Sequence, residues 1–534
     1  MLVRLNAAAL QGVDAVPVTV EVRVDRGIHF LMVGLPDSAV RESQQRIKSA
    51  IEHLGYRWPG KGITINLAPA GLRKEGAAYD LPLALGILAA SEQIDLDGVD
   101  RILSMGELAL DGTLRPVRGG LALAQAALAP DIGPVILPRE SAAEAALLDG
   151  VTVYAADHLR EVVDHLAGAR PLPVLTADLA EQMAGQADAA LEPLAAIRGQ
   201  PRGLDAIALA AAGGHNLCMV GPPGAGKTML ARAMVGLLPP LSLDEALAVN
   251  RIHSVARRGG RGDALVLQRP FRSPHHTISD VALVGGGSDP RPGEISLAHA
   301  GVLFLDELPE MPRHVLEVLR QPLESREMTI SRARASVVFP ADFQLVAAMN
   351  PCPCGRYRPD AAHRSRCTCS RHARTRYLER ISGPLLDRID IHLLIDPVDP
   401  KLLLPEPGAR GRQERQRRLH EAHLLRERVL QARTVQCARN PGGLANHRLE
   451  GDALHDVLAL GRKEKELLTA CAERFGLSAR SHSRVLRLAR TVADMAGAET
   501  VKTDHIAEAL AHRRAGQTLD GEEDRESDWT LFSG

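Results

Sequence analysis

The stretch from Asn216 to Thr228 reads N-L-C-M-V-G-P-P-G-A-G-K-T. Its G-x-x-x-x-G-K-[ST] spacing is that of a phosphate-binding loop. Gly221, Pro222, Pro223, Gly224, Ala225 and Gly226 form the wrap, where glycine lets the backbone turn tightly and aim its N–H groups inward. Lys227 is placed to reach β and γ phosphates, and the Thr228 hydroxyl to hold Mg²⁺. Leu217 to Val220 reads as a strand buried on both faces. The run M-L-A-R-A-M-V-G-L-L after Thr228 reads as a helix whose positive N-terminal end adds to the attraction. Together these residues predict binding of a nucleoside triphosphate with its Mg²⁺.

Two further strand ends carry groups suited to hydrolysis. G-V-L-F-L-D-E-L (Gly301 to Leu308) ends in Asp306, suited to the Mg²⁺ shell, and Glu307, suited to polarising the attacking water. Alone, this could be a buried strand ending in surface acids; beside a phosphate loop it predicts catalysis. F-Q-L-V-A-A-M-N (Phe343 to Asn350) ends in an amide that can orient the water between the phosphates and Glu307. S-G-P-L-L-D-R-I-D (Ser382 to Asp390) presents Arg388. In a ring of subunits Arg388 would reach the neighbour's γ-phosphate; within one chain it would pair with Asp387 or Asp390.

The cysteines form C-P-C (Cys352, Cys354) and C-T-C (Cys367, Cys369). Four thiolates suit tetrahedral zinc in a structural site, since no ligand position is left open for catalysis. A set in which His363 or His372 replaces one thiolate is the alternative. Seven cysteines in a chain of this size do not suggest disulfides.

A chain of 534 residues is too long for one ordinary core and predicts roughly three domains. With 45% hydrophobic and 24% charged residues it reads as globular. The longest apolar candidate, Leu81 to Ala90, falls short of the ~20 residues needed to span a membrane. The N-terminus lacks the layout of a signal peptide, so the cytoplasm is the expected compartment. A net charge of −1 excludes a globally basic nucleic-acid binder but not local basic surfaces. Arg251 to His276 holds six arginines against one acid, Asp263. Arg356 to Arg380 is a second such stretch. A third, Arg410 to Arg428, is mixed with glutamates, as a solvated helix face would be.

These positions divide the chain. Residues 1–170 alternate strand and helix patterns, beginning with the period-two run V-T-V-E-V-R-V, as an α+β domain would. Residues 171–190 read as a Pro/Ala-rich linker. Residues 191–405 form the nucleotide-binding core, with A-I-R-G-Q (Ala196 to Gln200) ahead of its first strand and placed to close over the base. Residues 406–516 read as mostly helical. The acidic tail, 517–534, is expected to be disordered.

The first domain resembles that of the Lon protease family in K-E-G-A-A-Y-D-L-P-L-A-L (Lys74 to Leu85), R-P-V-R-G-G-L (Arg115 to Leu121) and V-I-L-P-R-E. Lon-type peptidases pair a serine with a lysine, because serine is a weak nucleophile without an adjacent base. Ala78 stands where the serine would fall, and Ala122, Leu123 and Ala124 where the lysine would. The resemblance therefore implies an inactive peptidase fold reused for assembly or substrate contact.

The phosphate loop, Asp306–Glu307, Asn350 and L-L-D-R together resemble the AAA+ ATPases, in the branch of the magnesium-chelatase ATPase subunit and the MCM helicases. F-R-S-P-H-H-T-I-S-D (Phe271 to Asp280), I-S-R-A-R (Ile330 to Arg334) and N-P-C-P-C-G (Asn350 to Gly355), behind a Lon-like domain, resemble the YifB/ComM family over nearly the whole chain. That resemblance implies a multidomain α/β and α+β protein. Its parts would be an inactive Lon-like (ribosomal S5 domain 2-like) domain, a P-loop ATPase core of the helix-2-insert and pre-sensor-1-hairpin type, and a C-terminal helical lid. It implies ATP, Mg²⁺ and a homo-hexameric DNA helicase that migrates branches during natural transformation.

Under that resemblance the hairpin Glu327 to Pro340 lines the ring's pore, and Arg332 and Arg334 near its tip track phosphate backbone; the alternative is a surface hairpin with solvated arginines. Pro274 to His299, with G-G-G at 285–287, also faces the pore. His275 and His276 are then DNA or metal contacts, or ordinary structural histidines. Arg480, near the start of A-R-S-H-S-R-V-L-R-L-A-R, senses the nucleotide's phosphates, with Arg484 as second choice. The rival function is a chelatase-type ATPase that remodels a protein partner.

Overall fold

The structure, a computed structural model, describes residues 1–95, 99–184, 191–256, 265–287, 290–332, 335–357, 367–403, 408–475 and 477–517. The chain opens with a long antiparallel hairpin, β1 (Leu2–Gln11) and β2 (Asp14–Asp25), with Leu5 opposite Val20. Val18, Val20, Val22 and Val24 are all buried, so the period-two pattern turns one face of the hairpin to a core. There follow β3 (Phe30–Val33), β4 (Gly62–Ala68), β5 (Leu103–Ser104), a ribbon of β6 (Glu107–Leu108) and β7 (Leu114–Arg115), β8 (Val135–Pro138), β9 (Val153–Ala156) and β10 (Val174–Leu175). Eight of these form one mixed sheet in the order β10-β9-β8-β5-β1-β2-β4-β3. The helix Asp80–Ala90 is buried at every residue, as expected of a helix apolar on all sides.

The segment read as a linker begins inside this unit. Leu172 is buried in its core and Val174 pairs with Tyr154. Pro171 and Pro173 favour extended backbone, and an edge strand tolerates their missing N–H groups.

The second sheet is built from β11 (Leu217–Val220), β12 (Phe271–Arg272), β15 (Val302–Leu305), β18 (Gln344–Met349) and β19 (Ile391–Leu394). Its order is β12-β15-β18-β11-β19, with every neighbouring pair parallel. Two ribbons are inserted between its strands: β13 (Gly285–Gly286) with β14 (Arg291–Pro292), and β16 (Glu327–Arg332) with β17 (Ala335–Pro340). Strands β11, β15 and β18 are buried throughout, which suits a parallel sheet covered on both faces.

The helices Gly408–Arg439, Ala479–Met495 and Thr503–Gln517 share one apolar cluster with this sheet and with helices Pro201–Gly213 and Lys227–Leu237. The first unit docks on helix Leu243–Ala256. Leu121 and Leu147 pack with Leu241, Ala246 and Val249, and Arg251 Nη1 donates to Asp14 Oδ1 at 3.0 Å. The β1–β2 turn also meets the inserted hairpin, since Val13 packs with Met328, Ile330 and Val337. Among the described residues no helix is long and apolar enough to cross a membrane. The acidic tail beyond Gln517 lies outside the described residues.

Candidate functional site

Register brings the predicted groups together. Val220 lies beside Met349, and Leu305 beside Ala347. The phosphate loop, Asn350 and Asp306–Glu307 therefore leave adjacent strands at the same end of a parallel sheet. Ligands bind at that edge because the loops there diverge into a crevice.

Within the loop, Gly224 and Gly226 have φ of +77° and +89°, values that side-chain-bearing residues rarely adopt. Gly226 is the N-cap of helix Lys227–Leu237. Lys227 is 8% exposed. Its Nζ donates to Gly221 O at 2.7 Å, Pro222 O at 3.0 Å and Asn350 Oδ1 at 3.3 Å. Burial lowers its pKa below the usual lysine value, against the pull of Asp306 and Glu307. Gln200 closes the loop from behind, donating to Ala225 O at 3.0 Å and Asp396 O at 2.7 Å.

Thr228 Oγ1 donates to Asp306 Oδ2 at 3.1 Å. A hydroxyl and a carboxylate so close are a fitting donor set for Mg²⁺, a hard cation that takes oxygen ligands. Asp306 Oδ1 also accepts from Glu307 N at 2.9 Å. Glu307 sits in the left-handed region, φ 52° and ψ 44°, which costs a non-glycine residue ~1 kcal/mol. Such strain persists where surrounding structure enforces it, commonly at functional sites. The Glu307 carboxylate meets His276, Oε2 to Nδ1 at 2.9 Å, and the His275 and His276 ring centroids lie 4.1 Å apart.

Arg388 is not free in the single chain. Its side chain is 6% exposed, paired with Glu324 and donating to Pro384 O at 2.6 Å. The two intrachain partners named from the sequence are engaged elsewhere. Asp387 faces Arg513 at 3.8 Å, and Asp390 takes His215 and Arg484, each at 3.3 Å. Sequence proximity suggested the wrong acids because the turn at Gly383–Leu386 aims Arg388 back at the helix Pro322–Ser325. Arg480 is exposed on the first turn of helix Ala479–Met495, without a hydrogen bond or ion pair among the described residues. Arg484, one turn on, is held against Asp390.

The four cysteines converge, with all four Sγ atoms within 4.8 Å of one another. Backbone N–H groups of Arg356, Tyr357 and Thr368 point at Cys352 and Cys354. Burial pushes the Cys352 thiol up to about 12. For Cys354 burial works upward too, but the N–H groups of Arg356 and Thr368 outweigh it and bring it down to about 6. His372 is exposed outside this cluster, and His363 lies outside the described residues.

Glu327 to Pro340 folds as the expected hairpin, with Arg332 opposite Ala335 next to the turn; Arg334 lies outside the described residues. The described arginines of the stretch at 251–276 are consumed by structure. Arg251 pairs with Asp14, Arg269 with Glu245 at 2.9 Å and Arg272 with Glu294 at 2.6 Å, while Arg257, Arg258 and Arg261 lie outside the described residues. The stretch at 410–428 is a helix face of Arg–Glu pairs, among them Arg417 with Glu414 and Glu421.

Sequence reasoning left the His276 partnership open, and it missed the buried joint between sheet and C-terminal helices. There His215 meets Asp390 on one side and Thr491 Oγ1 at 2.8 Å on the other. The H-H in F-R-S-P-H-H-T was the only signal for the first, and nothing local announced the second.

Three family profiles match this chain: "Magnesium chelatase, subunit ChlI" over residues 193–403, "Subunit ChlI of Mg-chelatase" over 20–141, and "Magnesium chelatase, subunit ChlI C-terminal" over 420–513. The protein YifB of Salmonella typhimurium is 42% identical over 516 residues, covering 96% of this chain and 97% of its own. The competence protein ComM of Haemophilus influenzae is 42% identical over 512 residues, covering 95% and 96%. The 38 kDa magnesium-chelatase subunit of Cereibacter sphaeroides is 26% identical over 348 residues, covering 61% and 93%.

Proposed function

The chain belongs to the YifB/ComM family of magnesium-chelatase-like AAA+ ATPases, and from that premise we propose that it is an ATP-driven DNA motor. In this reading it works in the cytoplasm as a homo-hexameric ring, a helicase that promotes branch migration during homologous recombination. The relative in H. influenzae is named for competence, which supports a role in natural transformation.

The observation that carries the reading is the meeting of Lys227, Thr228, Asp306, Glu307 and Asn350 at one sheet end, with an arginine-tipped hairpin inserted between β15 and β18. Lys227 exchanges its loop carbonyls for phosphate oxygens. Thr228 and Asp306 hold Mg²⁺, which neutralises the phosphates when bound. Glu307 draws a proton from water that Asn350 orients. Arg388 from the adjacent subunit and Arg480 from the helical lid (406–516) complete the charge around the γ-phosphate, in a core spanning 191–405. Arg332 and Arg334 track DNA phosphates in the pore, where neutralising backbone charge gives affinity without sequence preference. The domain at 1–170 is a Lon-like fold without its Ser–Lys pair, with Ala78 at the serine position and Ala122, Leu123 and Ala124 where the lysine would fall, and it serves assembly or substrate contact. The four cysteines hold a structural zinc ion.

A second reading, an ATPase that remodels a protein partner, draws on the three chelatase profiles. ATP hydrolysis by the purified chain, with and without single-stranded and branched DNA, separates the two, with Lys227→Ala as control. Stimulation by DNA that vanishes in the control and in an Arg332→Ala/Arg334→Ala variant supports the motor. Hydrolysis indifferent to DNA refutes it and favours the partner-remodelling reading.

A further inference from the structure

The cysteine cluster touches the ATP site at two points. Cys352 Sγ and Cys354 Sγ lie 3.8 and 3.7 Å from Cys367 Sγ. The edge of a tetrahedron of sulfurs around zinc, with bonds of ~2.3 Å, is about 3.8 Å. With Cys352 Sγ 3.3 Å from Cys354 Sγ, none of these three pairs approaches the ~2 Å of a disulfide.

The chain leaves Asn350, enters the cluster at Cys352 and turns at Gly355, whose N donates to Cys352 O at 2.9 Å. Gly355 has φ +73°, and a Cβ built there would lie 2.6 Å from Pro223 Cδ of the phosphate loop. Only glycine fits, because both its dihedral and its contact forbid a side chain.

The return path makes the second contact. After Cys369, Ser370 caps helix Arg371–Leu378. Arg374 donates to Cys369 O at 3.1 Å and lies over the Tyr357 ring, 4.2 Å from its centroid. Tyr377, 4% exposed on that helix, turns its phenol toward the backbone N–H of Asn350.

We infer that the tetrathiolate zinc knot is a brace for the nucleotide site: it presses Gly355 against Pro223 and, through Tyr377, fixes Asn350, so that metal occupancy sets how well the chain binds and turns over ATP. This deepens the ATPase reading and rests on it. A knot that merely tied off a surface excursion would need neither a glycine seated on the phosphate loop nor a phenol on the backbone of Asn350.

Three measurements on the full chain test it: metal content by mass spectrometry, binding of a fluorescent ATP analogue, and ATP hydrolysis. The wild type should carry one zinc per chain. Cys354→Ser/Cys367→Ser should lose the metal and weaken analogue binding at least ~tenfold, with the helical circular dichroism of the rest retained. Gly355→Ala keeps all four thiols, so it should keep its zinc yet still raise the analogue's Kd and lower kcat. Tyr377→Phe should keep zinc and affinity but lower kcat. Zinc-free wild-type chain with normal ATP turnover overturns the metal site, and wild-type behaviour of Gly355→Ala with zinc bound overturns the brace. A wild type that holds zinc but binds no ATP analogue overturns the ATPase reading and the brace with it, leaving the metal count standing.

Discussion

His276 Nδ1 lies 2.9 Å from Glu307 Oε2, so the residue read as the catalytic base is engaged by an imidazole from the turn that follows β12. A carboxylate that meets His276 has one oxygen occupied, which leaves it less free to take a proton from water. Replacing His276 by alanine should therefore raise DNA-independent ATP turnover a few-fold, while Glu307→Gln should lower it by ~100-fold or more. Steady-state hydrolysis of the two variants reads this directly. A fall in His276→Ala would mean that the imidazole orients the carboxylate for catalysis instead of restraining it.

Arg388 is buried against Glu324, yet its Nε has no partner among the described residues. A guanidinium left partly unsatisfied in one subunit is suited to complete its bonds on a neighbour's phosphate. Arg388→Ala should lower turnover ~100-fold or more while leaving ATP affinity within about twofold, the mark of an interaction made in the transition state. Mixing it with Glu307→Gln chains should restore part of the activity, since some interfaces would then hold both groups. Unchanged turnover together with a lowered melting temperature would leave Arg388 as a structural ion pair with Glu324.

How much of this was legible in the sequence follows from the range of each interaction. The phosphate loop, the acids after β15 and the amide after β18 are local motifs, and parallel pairing then brings strand ends together without further information. The hairpin at 327–340 and the clustering of C-P-C with C-T-C were likewise written in spacing. Partners across the fold were not. Arg388 chooses Glu324, 64 positions away, over the aspartates beside it because its turn reverses its direction. Arg251, Arg269 and Arg272 of the basic stretch could not be told from a free basic patch, because their partners Asp14, Glu245 and Glu294 are distant or unremarkable in the sequence. Gly355 was only the last letter of N-P-C-P-C-G; its contact with Pro223 exists only in three dimensions.

Asp494 offers a test of the C-terminal helices. Its carboxylate is fully buried, accepting from Arg439 at 2.6 and 3.0 Å, Arg490 at 3.0 Å and Asn446 at 2.8 Å. Arg490 is itself 1% exposed. Asp494→Ala would strand that guanidinium without its counter-charge, and removing one partner of a buried pair costs roughly 3–5 kcal/mol. Urea unfolding monitored by circular dichroism should show a loss of that order. A loss under ~1 kcal/mol would mean that water reaches Arg490 once the carboxylate is gone.

The last prediction concerns pH and the strand beside the phosphate loop. His392 on β19 pairs in register with Cys218 and is buried; burial, reinforced by Arg513, lowers its pKa to about 4. The unfolded chain titrates near 6.5, so between 6.5 and about 4 it takes up a proton that the folded state refuses. Stability carried by this group is present above pH 6.5 and is lost as pH falls through that window. The loss amounts to ~1.4 kcal/mol between pH 7.5 and 5.5. Asp80 works the other way, since burial outweighs Arg46 and lifts it to about 6, so the wild-type slope reports the sum. His392→Gln removes one titrating group and leaves Asp80 in place. By denaturant midpoint, on going from pH 7.5 to 5.5 the variant should therefore lose less stability than the wild type, or gain where the wild type loses. Equal differences in the two proteins would show that His392 is protonated in the folded chain as readily as in the unfolded one.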